Sequence, residues 1–151
     1  MTINWLDPKA KISKYFTVKE ALWLPSWKVM HTPSDAEKEN IIKMAQAMDL
    51  VRELIGSPIS IHVWIRPSSV NAPGCAHDQQ DYNAFVKGAK SSSHRLGRAV
   101  DWSCKGQDCD DVRAKLEPKL EEFGLRMEKL PGSNWVHLDN MPVISNRYFK
   151  P

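Results

Sequence analysis

The chain has 151 residues, 42% of them hydrophobic and 26% charged, which suits a single domain over residues 1–151 with its own core and excludes a disordered or low-complexity scaffold. A net charge of +3 with no Lys/Arg-rich block excludes the footprint of a nucleic-acid binder. No apolar run reaches the roughly 18 residues of a spanning helix, so no membrane insertion is expected.

Met1 to Asp7 lacks the basic and apolar regions of a secretory leader, so synthesis in the cytoplasm without a signal peptide is expected. Residues 1–16 have no clear period. Thr17 and Glu20 then fit a capping box, predicting a short helix that ends before Pro25. Trp23 and Trp27 flank that proline and are expected to be buried, with stacking on a sugar or peptide as the alternative. Ser34 and Glu37 form a second capping box. Behind it Ile41, Met44, Ala45, Met48, Val51 and Ile55 recur at three- and four-residue steps, the buried stripe of an amphipathic helix ended by Gly56 and Pro58.

Ile59 to Ile65 alternates as a strand does, with Ile59, Ile61, Val63 and Ile65 on one face and Ser60, His62, Trp64 and Arg66 on a polar one. Arg66, just before Pro67, stands at the strand's exit, where a guanidinium can grip a carboxylate. Residues 67–80 read as a loop, in which His77 is a solvated histidine. Asp81 to Lys87 can form a short helix, and 88–93 returns to loop. Arg98 to Ser103 is strand-like, with Ala99, Asp101 and Ser103 facing one way and Val100 and Trp102 the other. A second amphipathic segment runs from about Asp108 to Phe123, interrupted at Pro118 and ended by Gly124. Leu125 to Lys129 and Asn134 to Leu138 are predicted strands of a hairpin turning at residues 130–133. The tail from Asn140 is expected to be irregular. Cys75, Cys104 and Cys109 make an odd count. Three reduced thiols are expected, the alternative being a Cys104–Cys109 bridge across the short loop between them.

The chemistry-bearing residues converge on one ligand set. His94 and Asp101 lie seven residues apart around Gly97, and His137 sits alone in a strand-like run. Two His and one Asp without a fourth protein ligand is the set of a catalytic zinc, since structural zinc closes its shell with four protein ligands. Ala99 is small and shares the Asp101 face, leaving room for an ion and a substrate. The alternative is a hydrogen-bonded His–Asp pair and a core histidine.

The run Ser92-x-His94-x-x-Gly97-x-Ala99-x-Asp101, followed by Trp135-x-His137, resembles the M15 family of zinc DD-peptidases. Trp64-Ile65-Arg66-Pro67 matches the family's strand-end arginine, and Phe16 to Glu20 resembles the opening of its phage and prophage branch. The likeness covers roughly residues 16–149. It implies an α+β fold shared with the hedgehog signalling domain, a central antiparallel sheet with helices mainly on one side. It also implies zinc on His94, Asp101 and His137, with Arg66 holding a substrate carboxylate or oxyanion and Ser92 bonding the substrate near the metal.

The substrate so implied is the bacterial peptidoglycan stem peptide, cut as by a D-Ala-D-Ala carboxypeptidase or an L-Ala-D-Glu endopeptidase, and the chain itself is expected to be a monomer. It would be reached after release from the cell or as part of a phage particle. One position departs from the pattern. Many members carry an acid three residues before the last His as the base, where this chain has Asn134. Glu128, on the preceding strand, is the first candidate to replace it, and Asp139, two residues after His137 on the same face, is the second. A surface salt bridge with Arg126 and Lys129 is the other reading of Glu128. Without a base, the domain would be a zinc-stabilised module that binds the wall without cutting it.

Overall fold

Two capping boxes start the first helices of the structure, a computed structural model that describes residues 2–151. Thr17 caps α1 (Val18–Leu22) and Ser34 caps α2 (Asp35–Ile55), each with its Glu reaching back to the cap backbone. Every residue of the predicted α2 stripe, Ile41 through Ile55, is buried, and Gly56 ends the helix at φ 76°. Between the two helices lies a small hairpin that the sequence did not signal, β1 (Trp23–Leu24) with β2 (Val29–Met30).

The main sheet holds β3 (Ile59–Val63), β4 (Ala99–Cys104), β5 (Arg126–Glu128), β6 (Val136–Asp139) and β7 (Tyr148–Phe149), in the order β3-β4-β6-β5-β7. The fold is α+β as expected, and the pairs among β3, β4, β6 and β5 are antiparallel. The tail is not irregular, however: β7 adds to the edge of β5 in parallel, through Met127 N–H to the Arg147 carbonyl (2.7 Å) and Lys129 N–H to the Phe149 carbonyl (2.6 Å). A two-residue strand is too short to show a period, which is why it escaped the sequence pattern.

Between β3 and β4 comes α3 (Tyr82–Phe85), capped by Asp81. After β4 come α4 (Cys109–Leu116), a tight turn Glu117–Lys119 that absorbs Pro118, and α5 (Leu120–Phe123). The pleat sorts the strand residues. Val100 and Trp102 of β4, Val136 and Leu138 of β6 and Met127 of β5 are all buried in the one apolar cluster that includes the α2 stripe, Val112, Leu116 and Leu120. Ala99, Asp101, His137, Asp139, Arg126 and Glu128 alternate with them and so share the opposite face.

Several local expectations need correction. Trp64 is not on the polar face of β3 but 2% exposed, because the β3–β4 register shifts between Ile61 and Val63 and re-aims the strand's exit. Its Nε1–H donates to the Gly97 carbonyl (3.2 Å), and its ring meets Phe16 edge-on. Trp23 is 37% exposed rather than buried. The β5–β6 connection is longer than a four-residue turn, since Asp110 accepts from Gly132 N–H and Arg113 donates to the Trp135 carbonyl (2.7 Å), holding that segment off the ladder. The cysteines need no correction, since all three are free thiols as expected, with Cys104 and Cys109 buried. No helix among the described residues is long and apolar enough to cross a membrane.

Candidate metal centre

The first candidate-ligand segment is a tight helical turn rather than an open loop. Ser93–Leu96 forms one 3-10 turn capped by Ser92, and Gly97 ends it at φ 74°. Gly97 is confined twice, because a Cβ there would lie 2.9 Å from Ile41 Cγ1 of α2. Asn40 of α2 donates to the Leu96 carbonyl (2.9 Å), and Arg66 N–H donates to the His94 carbonyl (2.9 Å). The turn is thus pinned to the core helix on one side and to the exit of β3 on the other.

His94 comes from that turn, Asp101 from the middle of β4 and His137 from β6, where the register sets Asp101 directly against His137. One ligand atom from each lies within 4.8 Å of the others. His94 is 2% exposed. Its Nδ1 donates to the Trp64 carbonyl (2.7 Å), which turns Nε2 toward the site. That Nε2 is buried without a hydrogen-bond partner, yet lies 3.2 Å from Asp101 Oδ1. A buried ring nitrogen without a hydrogen-bond partner beside a carboxylate is the arrangement a cation would satisfy, and two imidazoles with one carboxylate are donors zinc accepts.

His137 donates through Nδ1 to Asp101 Oδ1 (2.8 Å) and through Nε2 to Asp139 Oδ2 (3.0 Å). Burial pulls its pKa down, but the hydrogen bonds to the two carboxylates outweigh burial and hold it up to about 9. Burial would raise the Asp101 carboxyl, but the two histidines beside it drive it well below the usual carboxylate range. Asp139 behaves alike: burial raises it, and the bonds from His137 and Arg126 more than reverse that.

The cleft over these groups measures about 410 Å³ and is walled by Arg66, Ser92, Arg126, Glu128, Trp135 and Phe149. A larger, mainly apolar cavity of about 670 Å³ lies elsewhere, against Trp23 and Met30, and contains none of these groups. Arg66 donates through Nη2 to Ser92 Oγ (2.9 Å), while its Nε is buried with no partner. Burial lowers its pKa, with Asp101, Tyr82 and Glu128 opposing that. Ser92 Oγ also accepts from His94 N–H (3.2 Å), so its lone pairs are used internally and its hydroxyl hydrogen is left to donate.

The two candidates for the base separate clearly. One step along the β5–β6 register from Met127–Leu138, Glu128 stands opposite His137, with Oε1 4.0 Å from Nε2, and it lines the cleft. The other reading of Glu128, a salt bridge with Arg126, is not met, because both forks of Arg126 go to Asp139 (2.8 and 3.1 Å). Asp139 is 0% exposed and is taken by Arg126, His137 and Met141 N–H. It is a neighbour that orients His137, not a carboxylate free to meet a substrate. Asn134 is exposed and lines none of the cleft. Arg126 was missed in the sequence, although its two-residue spacing from Glu128 puts both on one face. Phe149 gave no sequence signal.

The family model described as Peptidase M15 matches residues 14–139, most of the chain. The chain belongs to the M15 peptidase family. That membership makes it a peptidase, of the metallopeptidase class. No curated protein and no solved structure matches it.

Proposed function

We propose that this peptidase is zinc-dependent and hydrolyses a peptide bond of the peptidoglycan stem peptide, as a D-Ala-D-Ala carboxypeptidase or an L-Ala-D-Glu endopeptidase. It would meet the bacterial wall after release from the cell or within a phage particle, as a lysin does. The observation that carries the reading is Glu128, a carboxylate 4.0 Å from His137 Nε2 on the wall of the cleft that also holds His94, Asp101 and His137. It supplies the proton acceptor that Asn134 cannot.

His94 Nε2, Asp101 and His137 Nδ1 are the atoms that would hold zinc. Bound there, zinc supplies Lewis-acid polarisation and a lowered pKa for water. Glu128 accepts a proton from the attacking water, whose oxygen adds to the scissile carbonyl. Arg66, with an unpartnered buried Nε, meets the negative charge that develops, or a terminal carboxylate of the substrate. Ser92 donates its hydroxyl hydrogen to the bound peptide. Glu128 then returns its proton to the leaving amine as the C–N bond breaks. The competing reading, a zinc-stabilised module that binds the wall without cutting it, draws on Asn134 alone.

Incubation with purified peptidoglycan, followed by mass spectrometry of the muropeptides, tests the reading and names the bond. Chelator-sensitive products with new amino termini, restored by added zinc, are expected. Muropeptides unchanged by the protein in the presence of zinc would leave the binding module as the function.

A further inference from the structure

Beyond the three candidate ligands, one chain of contacts runs from the C-terminal strand into the site. Phe149 of β7 lies under the Arg126 guanidinium, with the carbon centre 4.3 Å from the ring centroid. Arg126 grips Asp139 with both forks, Nε to Oδ1 at 2.8 Å and Nη2 to Oδ2 at 3.1 Å. Asp139 Oδ2 accepts from His137 Nε2 at 3.0 Å. The Nδ1 of that ring is thereby turned toward Asp101 Oδ1, 2.8 Å away. The Phe149 ring also meets His137 edge-on, 6.5 Å between centroids. The family model ends at Asp139, so β7 lies outside the part of the chain that the family pattern describes.

The geometry points to Arg126 and Phe149 as positioning residues: β7 locks Arg126 onto Asp139, and Asp139 fixes the ring and tautomer of His137 so that Nδ1, not Nε2, is offered to a metal ion. The inference rests on the metal reading of the site. A carboxylate on the far nitrogen of a liganding histidine both orients the ring and raises its basicity, and losing such a partner typically costs about 10–100-fold in metal affinity. Here that carboxylate is itself pinned. With Arg126 gone, Asp139 would be a buried carboxylate short of its cation and free to rotate away from His137. With the Phe149 ring gone, the guanidinium loses the surface that holds its plane against the β5 edge.

The test uses the full chain and the metal alone. Zinc affinity is measured by competition with a chromophoric chelator, and the ligand geometry is read from the visible spectrum of the cobalt(II) form. Arg126→Met and Asp139→Asn are each expected to weaken zinc by about 10–100-fold. The double variant should be little worse than either alone, because both act through His137. Phe149→Ala should weaken zinc severalfold and shift the cobalt spectrum, while Phe149→Tyr, which keeps the ring, should restore both. Phe149→Ala keeps the test decisive if either buried-charge variant fails to fold, since Phe149 sits at a sheet edge. Wild-type zinc affinity and an unchanged spectrum in Phe149→Ala and Arg126→Met would overturn the inference while leaving the site intact. Absence of zinc binding by the wild-type chain would instead overturn the metal reading beneath it.

Discussion

At the scale of single residues, the site is a set of carboxylates given different tasks by their surroundings. Asp101 lies between two imidazoles, Asp139 is consumed by Arg126 and His137, and Glu128 alone stands on the cleft wall without a strong partner. Alternation along β6 put Asp139 on the His137 face and so made it look like a base. Only the distances show that its oxygens are spent. Arg66 is legible for a different reason, a strand-end guanidinium before a proline, and the structure adds that its Nε is buried without a partner. Arg66→Ala is therefore expected to lower kcat/KM on a stem peptide by about 10²–10³-fold with zinc content unchanged. A variant of equal activity would remove Arg66 from the reaction.

At the scale of elements, α2 is the foundation of the site although it contributes no ligand. Its periodicity and its capping box were readable because every stripe residue is buried by one face and every cap bond is local. What it does for the site was not readable, since contact between Ile41 and Gly97 spans 56 positions. Gly97→Ala meets both a positive φ and the Ile41 side chain, so a loss of about 1–3 kcal/mol is expected, read as a lower urea midpoint with unchanged slope. A midpoint equal to wild type would show the turn is not pinned there. At the start of the same helix, Glu37 accepts from buried His31 (3.0 Å) and from Ser34 N–H (2.8 Å). Burial raises its pKa, but those bonds outweigh burial and hold it below its ordinary value. A carboxylate depressed on folding stabilises the fold above its unfolded pKa, and that contribution fades as pH falls through the folded value. Glu37→Gln should thus flatten the acid limb of urea midpoints between about pH 6 and pH 3. A limb as steep as wild type would mean the pair contributes nothing.

At the scale of the whole molecule, the sheet divides the chain into a helix-covered apolar face and a polar face that gathers His94, Asp101, Glu128 and His137 into one cleft. Strand alternation foretold that division for β4 and β6 because both are flanked by neighbours on each side. It failed for Trp64, where a register shift rotates the strand's exit, and for β7, which is too short to carry a pattern yet closes the cleft with Phe149. The residues of the candidate metal group were legible from the motif, while the proposed base depended on cross-strand register that no single segment records. The central claim, that Glu128 completes the catalyst begun by His94, Asp101 and His137, is met most directly by one comparison. Release of new amino termini from purified peptidoglycan is followed for wild type and Glu128→Gln at equal zinc content. Cleavage slowed by about 10²–10⁴-fold in the variant, with zinc retained, is the expected result, and cleavage at a rate close to wild type would contradict it.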